Sequence, residues 1–424
     1  AWDAAPPLAQ PRAALTLSAV DGALYAIGGM SGSAATLAGS KFAWRDVATC
    51  EQYVPGAKAW RACAPMPSAR SNHAASVLNG KIHVVGGVGP EEDDAAKGEG
   101  NPGGVRTLAT HLVYDPATDS WESLAPLPLA RAGLAATASA DGSSFLVLGG
   151  FEPLLWDDAA RSVRRRAESA GEAPAQEANR IFAYDVKSNV WVERRPMPAA
   201  RTAIAAARVG GDVITVGGRS LSSGFSIEQT ETVAAYDSEA DVWTRRGTMP
   251  QPRAGSTMAA HGANGKLYVF GGSGPRGDID ITEEYDIALD QWATLAAMPT
   301  ARHLAASAEV NGQLYVVGGA ALQLDALGTV AASACTADPS LATSEVFTPE
   351  GAAVAAQIFA SARAAASAES VRDGDSSRGG VSAAATAWLI GAGVLVGVAL
   401  SVLAALVVGR LAGRAARRKR VAPL

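Results

Sequence analysis

The chain has 424 residues, of which 48% are hydrophobic and 18% are charged, and its formal net charge is −5 at neutral pH. Six cations and no acid occupy the last fifteen residues, so the rest of the chain is markedly acidic. An acidic body disfavours sequence-independent nucleic-acid binding, which uses extended basic surfaces. The length suffices for two or three average domains, or for one large all-β domain with additional segments.

The chain begins AWDAAPPLAQPR, with a tryptophan close to the terminus and no initiator methionine. A large apolar ring gains nothing on a loose terminus, so Trp2 is expected to pack against another part of the chain. Ala1 is a candidate first mature residue, because cleaved targeting signals often end at a small residue, and a truncated N-terminus is the alternative.

A diglycine that ends an apolar run recurs six times. Each run follows a pair of residues that tolerate the positive φ of a tight hairpin turn, so each repeat is predicted to contain an a–b hairpin. The turn pairs and the second glycines are Asp21-Gly22 with Gly29, Asn79-Gly80 with Gly87, Asp141-Gly142 with Gly150, Gly210-Gly211 with Gly218, Asn264-Gly265 with Gly272, and Asn311-Gly312 with Gly319.

A second hairpin follows each of the first five diglycines, and in it a tyrosine precedes a tryptophan by seven positions. With a four-residue turn between strands c and d, the two rings face each other across the strands. An arginine follows each tryptophan, after a Met-Pro or Leu-Pro pair. The sets are Tyr53, Trp60 and Arg70; Tyr114, Trp121 and Arg131; Tyr184, Trp191 and Arg201; Tyr236, Trp243 and Arg253; and Tyr285, Trp292 and Arg302.

These repeats, in phase over residues 1–350, resemble kelch repeats. The resemblance implies an all-β fold, a six-bladed kelch-type β-propeller. In the sixth repeat Phe347 takes the tyrosine position, and no tryptophan follows it seven residues later. Trp2 precedes a Pro-Pro pair and then Arg12, so we expect the N-terminus to supply strand d of the last blade and to close the ring. A frayed terminus is the alternative.

Each arginine follows strand d and leads into the innermost strand of the next repeat. Because strand direction alternates, the d–a and b–c connections share one face, so the arginines are expected to ring one mouth of the channel. In the kelch adaptor domains that this chain resembles, such arginines help to grip acidic peptides. The alternative is that each arginine pairs with a neighbouring blade's carboxylate or with backbone carbonyls. The six are Arg12, Arg70, Arg131, Arg201, Arg253 and Arg302.

The longest insertions lie in the b–c connections, on the same face. Long loops on a rigid scaffold are frequent recognition sites. Trp44 and Trp156 lie in these insertions and are candidate anchors for a partner, because exposed indoles contribute strongly to interfaces. Packing of each loop onto its own blade is the alternative.

Two of the three cysteines lie in the first c–d hairpin. The Tyr53–Trp60 pairing places Cys50 opposite Cys63, within reach of a disulfide bond. Such a bond indicates an oxidising compartment, and a reduced cysteine pair is the alternative. Cys335, in the last insertion, is then left without an assigned partner.

The C-terminal part differs from the repeats. Residues 351–382 are an alanine-rich, helix-permissive segment and a polar linker. Residues 383–409 are uncharged and long enough for one transmembrane α-helix, with a buried core helix as the alternative. Small residues at every fourth position are a candidate helix-packing face, unless they reflect the general abundance of alanine and glycine. They are Gly393, Gly397, Ser401, Ala405 and Gly409.

The basic tail, residues 410–424, is expected on the cytosol-like side of a membrane. The propeller then lies on the extracytoplasmic side or in an organelle lumen. The sequence leaves open whether this membrane is a cell surface, a periplasm-facing membrane or an organelle membrane.

The sequence shows no catalytic constellation, no phosphate-binding loop and no metal-ligand spacing, and it implies no cofactor. We therefore expect a membrane-anchored, non-catalytic propeller that binds protein partners through the b–c and d–a face, such as an accessory subunit of a membrane complex. No nucleic-acid partner is expected. The alternative is an extracytoplasmic carbohydrate-binding or sugar-modifying propeller, similar to epimerases and oxidases of this architecture, that uses the channel mouth.

Overall fold

The computed structural model describes residues 1–32, 44–90, 105–139, 142–151, 155–157, 162–164, 178–221, 227–321 and 341–349. All of these residues belong to one compact unit, Ala1–Phe359. This part of the chain is all-β, without a helix. The predicted linker 351–382, transmembrane segment 383–409 and basic tail 410–424 lie outside the described residues.

The strands are short, as expected for a chain punctuated by 45 glycines and 22 prolines. In chain order they are β1 Trp2–Ala5, β2 Thr16–Val20, β3 Ala23–Ile27, β4 Met30–Gly32, β5 Trp44–Asp46, β6 Cys50–Tyr53, β7 Arg61–Cys63, β8 Ala74–Leu78, β9 Lys81–Val85, β10 Val88–Pro90, β11 Val105–Thr107, β12 His111–Asp115, β13 Ser120–Leu124, β14 Ala132–Ala138, β15 Ser144–Phe151, β16 Leu155–Asp157, β17 Ser162–Arg164, β18 Ile181–Asp185, β19 Val190–Arg194, β20 Arg201–Thr202, β21 Ala205–Val209, β22 Asp212–Val216, β23 Arg219–Leu221, β24 Ile227–Gln229, β25 Val233–Asp237, β26 Val242–Arg245, β27 Thr257–His261, β28 Lys266–Phe270, β29 Ser273–Gly274, β30 Gly277–Asp278, β31 Thr282–Asp286, β32 Gln291–Thr294, β33 Ala306–Val310, β34 Gln313–Val317 and β35 Ser344–Phe347.

Six antiparallel sheets of four strands form the framework of the described chain. Each runs from an inner strand a, through b and c, to an outer strand d. In this order they are β2-β3-β6-β7 (sheet 1), β8-β9-β12-β13 (sheet 2), β14-β15-β18-β19 (sheet 3), β21-β22-β25-β26 (sheet 4), β27-β28-β31-β32 (sheet 5) and β33-β34-β35-β1 (sheet 6).

Hydrophobic side chains fill the space between consecutive sheets. One buried cluster lies at each of these junctions, including the junction between sheets 6 and 1. In that last cluster Leu24 of sheet 1 and Val317 of sheet 6 are both fully buried. Burial of a branched aliphatic side chain contributes roughly 1.5–3 kcal/mol, so these faces hold the sheets together.

The first strand of the chain belongs to the last sheet. β1 pairs with β35, and Trp2 is the direct partner of Phe347. The same pairing joins tyrosine and tryptophan in other sheets, as in Tyr114 with Trp121 and Tyr184 with Trp191. The N-terminus therefore supplies strand d of sheet 6, as the order of residues around Trp2 predicts.

The tight a–b turns form where the sequence predicts them in sheets 1, 2, 4 and 6, whereas sheets 3 and 5 differ. In sheet 3 the last paired residues are Ala138 and Phe145, and Asp141 of the predicted turn lies outside the described residues. Asp21 and Gly22 both have positive φ, at 50° and 76°, which fits a two-residue type I′ turn. In sheet 5, however, His261 pairs with Lys266, so four residues separate the strands. There the side chain of Asn264 accepts a bond from the Lys266 amide and stabilises the wider turn.

Candidate functional site

The six repeat arginines are buried at the junctions between sheets. Their exposed fractions are between 0% and 2%. Each guanidinium donates to the carbonyl of the first glycine in the diglycine of the following sheet. These contacts are Arg12 to Gly28 (2.8 Å), Arg70 to Gly86 (3.2 Å), Arg131 to Gly149 (2.8 Å), Arg201 to Gly217 (3.0 Å), Arg253 to Gly271 (3.4 Å) and Arg302 to Gly318 (3.0 Å).

Three of the arginines form buried ion pairs with a glutamate on strand c of the same sheet. Arg12 pairs with Glu51, Arg253 with Glu283 at 2.9 Å, and Arg302 with Glu345 at 2.6 Å. Each glutamate lies two residues before the aromatic residue of strand c. Removal of either partner would leave an uncompensated buried charge, so these pairs belong to the packing of sheets 1, 5 and 6.

In sheets 2, 3 and 4 the glutamate position is taken by Leu112, Phe182 and Ala234. Arg131 lies over the Phe182 ring at 5.1 Å. Arg70 donates to the Ser68 hydroxyl and Arg201 donates to the Thr215 hydroxyl. Burial lowers the pKa of both Arg70 and Arg201 to about 10, so both remain cationic at neutral pH.

The six arginines were expected to line a channel mouth and bind a ligand, but the structure places them in the interior. All six guanidinium groups are buried, and each donates to a glycine carbonyl at the junction it occupies. None offers a surface that could grip an acidic peptide. The contacts agree with the alternative, in which carboxylates and backbone carbonyls bind the arginines.

Backbone hydrogen bonds also connect the six sheets at the entry to their inner strands. Backbone hydrogen bonds join the residue two positions after each arginine in a cycle, from Ala14 to Leu304, Leu304 to Gly255, Gly255 to Ala203, Ala203 to Gly133, Gly133 to Asn72 and Asn72 to Ala14, at 2.8–3.1 Å. All six have positive φ. Leu304, at φ 53°, adopts a conformation that costs a branched residue energy, and the cyclic bonds hold it there.

Two cavities of about 120 Å³ and 180 Å³ are lined by residues on and just before these inner strands. The larger has hydroxyls on sheets 1, 5 and 6, where Thr16 contacts His73 at 3.2 Å and Thr257 contacts Ser307 at 2.7 Å. Sheets 3 and 4 contribute methyl groups such as those of Ala136 and Ala206. Among the described residues that line these cavities, none is a carboxylate or an arginine.

The tryptophans of strand d bind the preceding sheet. Each of five indoles donates to a backbone carbonyl just after strand d of the neighbour, namely Trp60 to Pro6, Trp121 to Ala64, Trp191 to Ala125, Trp243 to Arg195 and Trp2 to Ala296. The tryptophan set therefore joins sheets as well as strands.

Four acidic or amide side chains reinforce these junctions, and the sequence reasoning missed them. Each lies two residues before tryptophan with positive φ, accepts the tyrosine hydroxyl of its own sheet and accepts an amide of the preceding sheet. They are Asp119, Asn189, Asp241 and Asp290. We name them the junction acceptors. Their spacing from tryptophan was visible in the sequence.

The b–c connections carry a set of short accessory hairpins, which we name the crown. They are β4–β5, β10–β11, β16–β17, β23–β24 and β29–β30, in sheets 1 to 5. The crown strands of neighbouring sheets contact each other, β5 with β10 and β11 with β16. Burial raises the pKa of Asp46, on β5, to about 6, although its bond to Ser71 lowers it.

The crown also contains exposed cations that the sequence reasoning did not single out. Arg45, Arg106, Arg219 and Arg276 are exposed and belong to four different hairpins. Trp44 and Trp156, the predicted anchors, lie in β5 and β16, where they pair with Gly32 and Val163. The exposed arginines of the crown are therefore a different set from the six buried arginines.

A disulfide joins Cys50 and Cys63, as predicted from the strand register. The two residues are direct cross-strand partners with a Cα–Cα distance of 5.1 Å. Sheet 1 has Lys58 where other sheets carry a junction acceptor. The covalent bond ties the three-residue outer strand β7 to β6 in that sheet. Cys335 lies outside the described residues.

Two histidines form a buried pair between sheets 2 and 3. His83 Nδ1 and His111 Nε2 are 3.0 Å apart, and both rings lie against Phe145 and Tyr184. Burial lowers the pKa of His83 to about 4 and that of His111 to about 3, and the neighbouring charges of Lys81 and His83 add to this. Both imidazoles are therefore neutral at pH 7.

Several predictions concern other parts of the chain. Within the part of the chain that the structure describes, no helix is long and apolar enough to cross a membrane. The small residues Gly393, Gly397, Ser401, Ala405 and Gly409 lie outside it. The described residues also contain no group of three or more His, Cys, Asp or Glu side chains arranged to hold a metal ion.

Comparison with known proteins assigns the repeats. The family model of the KLHDC2/KLHL20/DRC7 Kelch-repeats domain matches residues 98–319, more than half of the chain. This chain belongs to the kelch-repeat family. A second model, the Kelch motif, matches residues 11–67, so the disulfide-bonded sheet 1 is itself a kelch repeat.

Curated kelch proteins share about a quarter of the residues. Beta-scruin of Limulus polyphemus is 24% identical over 300 residues, which cover 70% of this chain and 29% of beta-scruin. Kelch-like protein terF of Aspergillus terreus is 25% identical over 267 residues, covering 61% of this chain and 52% of that protein. The chain thus spans less than two thirds of the length of these relatives.

A solved structure confirms the kelch fold. The structure of YjhT superimposes with a TM-score of 0.60 and covers 82% of this chain and 97% of YjhT. Sequence identity is 16%, so the likeness concerns the fold alone.

Proposed function

We propose that this chain is a non-catalytic kelch propeller that binds a protein partner through the face formed by its b–c and d–a connections. The crown carries this proposal, because it places five accessory hairpins on one face of a rigid scaffold. Loops held in this way are common recognition elements. Two curated relatives are named kelch-like proteins, and a shared repeat scaffold supports a binding role for this chain.

The six sheets are proposed to form a closed propeller. The hydrophobic cluster between sheets 6 and 1 and the pairing of β1 with β35 support this closure. The cycle of backbone hydrogen bonds around the channel supports it as well. A closed ring holds the crown hairpins at fixed separations, which favours one well-defined binding face.

The ligand of the crown is proposed to be acidic. Exposed Arg45, Arg219 and Arg276 project from hairpins of sheets 1, 4 and 5. Guanidinium groups bind carboxylates with two parallel hydrogen bonds, so arginines spread over a face favour an acidic partner surface. The six buried arginines take no part in this contact.

The chain is further proposed to be anchored by one transmembrane helix at residues 383–409, as an accessory subunit of a membrane complex. Its uncharged stretch and the following basic tail support one span with the tail on the cytosol-like side. The Cys50–Cys63 disulfide supports an oxidising compartment for the propeller.

The test compares two double variants of the full chain after native purification from membranes. Arg45→Glu with Arg219→Glu changes the crown, whereas Lys58→Glu with Lys187→Glu makes the same charge change in c–d turns on the opposite face. We expect the amount of co-purifying complex to fall at least tenfold for the crown variant and to stay unchanged for the turn variant.

Equal retention by both variants contradicts binding through the crown. Turnover of a sugar by the purified wild-type chain contradicts the non-catalytic assignment. Migration of the wild-type chain alone on a native gel contradicts the accessory-subunit role. Thermal melting of both variants checks that the fold is intact.

A further inference from the structure

The outer strands of sheets 3 and 4 carry side chains that face each other at the rim, away from the crown. Trp191 donates to a carbonyl of sheet 2, so its ring faces that sheet. Side chains alternate along a strand, so Val190, Val192 and Arg194 face the opposite side, toward sheet 4. Trp243 donates to the Arg195 carbonyl and therefore faces sheet 3, and Arg245 shares its face. We name these five residues the rim cleft.

The packing of the neighbouring strand confirms this orientation. Ala183 is the cross-strand partner of Val192. It lies in the buried cluster between sheets 3 and 4, and Trp243 packs against the same cluster. Val192 thus extends that apolar junction outward to the surface.

The apolar part of the rim cleft is open to solvent. Val190 and Val192 are each 50% exposed, which is unusual for large hydrophobic side chains in the described chain. They occupy consecutive outward positions on the same face of one strand. The two valines therefore present a small apolar surface that is accessible to a partner.

The charged part of the rim cleft is basic on both walls. Arg194 lies on β19 and Arg245 on β26, and the adjoining Arg195 is exposed. The nearby carboxylate of Asp241 already accepts the Tyr236 hydroxyl at 2.6 Å and the Arg195 amide at 2.9 Å. The cleft therefore favours a ligand that brings its own carboxylates.

The equivalent cleft between sheets 2 and 3 has the opposite chemistry. Ser120 and Glu122 of β13 flank Trp121 as Val190 and Val192 flank Trp191, and Glu193 takes the place of Arg245 on the facing wall. The kelch fold thus accepts polar and acidic residues at these positions. The valines and arginines of the rim cleft are a property of sheets 3 and 4, and not of the repeat.

We propose that the rim cleft binds an extended acidic segment of a partner protein, as a surface separate from the crown. β19 is the last strand of sheet 3, and among the described strands none pairs with its outer edge. Such an edge accepts another strand through its free peptide groups. In the added strand, apolar residues would contact Val190 and Val192, and carboxylates on the same face would contact Arg194 and Arg245. Valines on a strand suit this contact better than insertion into lipid, which uses aromatic and leucine side chains.

The test measures fluorescence anisotropy of labelled heptapeptides with the full chain in a neutral detergent. The probes are Val-Thr-Val-Thr-Glu-Thr-Glu and its reversed sequence, which cover parallel and antiparallel addition. The same peptides with lysine in place of glutamate are the charge controls. We expect at least tenfold tighter binding of a glutamate peptide than of its lysine counterpart.

Two variants probe the two walls with residues that other sheets already carry. Val190→Ser with Val192→Glu copies Ser120 and Glu122 of sheet 2, and Arg245→Thr copies Thr294 of sheet 5. Each is expected to weaken binding of the glutamate peptide at least tenfold while melting like the wild type. Glu122→Gln in sheet 2 is the matched control and is expected to leave binding unchanged.

The proposal fails if glutamate and lysine peptides bind the wild type equally. It also fails if a variant that melts like the wild type binds the glutamate peptide with unchanged affinity. Reduced adsorption of both variants to phosphatidylserine vesicles, without peptide binding to the wild type, would instead assign the surface to lipid. These results are independent of the crown, because the variants leave Arg45 and Arg219 in place.

Discussion

Trp2 and Phe347 are cross-strand partners with ring centroids 5.2 Å apart, although they lie at opposite ends of the described chain. Trp2 also contacts Phe270 of sheet 5 edge-to-face at 5.6 Å, and its indole donates to the Ala296 carbonyl at 2.9 Å. One terminal side chain therefore completes sheet 6 and joins it to sheet 5.

Replacement of Trp2 by alanine is expected to destabilise the fold far more than a terminal substitution usually does. Loss of a large aromatic side chain from such a contact costs about 2–4 kcal/mol, compared with a few tenths for an exposed residue. Chemical denaturation measures the difference. Asp3→Ala, an exposed position on the same strand, is the control. Deletion of residues 1–5 should cost at least as much as Trp2→Ala, and an unchanged midpoint after this deletion would refute the role of β1.

Exchange of aspartate for asparagine at a junction acceptor is expected to change the free energy of unfolding only slightly. Asp241→Ala removes the acceptor of the Tyr236 hydroxyl and of the Arg195 amide, at a cost of about 1–3 kcal/mol. Asp241→Asn keeps an acceptor oxygen, as Asn189 does in sheet 3, and should cost less than half as much. Urea denaturation of the three proteins gives the comparison. Equal stability of the alanine and asparagine variants would show that the junction does not depend on these bonds.

The buried histidines predict that stability falls in mild acid. Burial lowers the pKa of His73 and His111 to about 3 and that of His83 to about 4, whereas in the unfolded chain each lies near 6.5. The unfolded state therefore binds more protons as the pH falls from 6.5 toward 4, and protonation favours unfolding. The loss at pH 4.5 is about 2 kcal/mol for each histidine relative to pH 7.

The variant that checks this pH dependence is His111→Phe, since the ring already stacks on Phe145. It should unfold with a shallower dependence on pH between 6.5 and 4.5 than the wild type. Urea denaturation at several pH values in this range measures the slope. A slope identical to that of the wild type would exclude His111 as a source of acid sensitivity.

The disulfide of sheet 1 is expected to stabilise the fold by about 3 kcal/mol, the value for closing a loop of this size. The free energy of unfolding of the double variant Cys50→Ala with Cys63→Ala should be lower by this amount. A reducing agent should lower the melting temperature of the wild type to that of the variant. The variant itself should not respond to the reductant. A response of the variant would mean that the reductant acts elsewhere than on this bond.

Much of the framework was predictable because it repeats. The seven-residue step from tyrosine to tryptophan sets the register of strands c and d, and Tyr114 with Trp121 obeys it. The same register placed Cys50 opposite Cys63, and the Pro-Pro pair and Arg12 that follow Trp2 assigned it to sheet 6. A pattern present in several copies limits the possible pairings far more than any single motif does.

The chemistry at the junctions was harder to predict, because it depends on residues far apart in sequence. Arg12 is buried because Glu51 and the Gly28 carbonyl bind it, and both are distant from Arg12 in the sequence. The His83–His111 contact likewise joins strands separated by a long insertion. The junction acceptors are different, since Asp119 and Asp241 each stand two residues before a tryptophan and could have been found from spacing alone.

The pairing of β1 with β35 has a consequence for the order in which the protein is made. Ribosomes add about 5–20 residues per second, so roughly 20–70 s pass between the synthesis of the first strand and that of its partner. During this interval Trp2 and the inner edge of its strand have no native partner. Synthesis of residues 344–347 therefore ends the period in which the Trp2 ring and this strand edge are open to other chains.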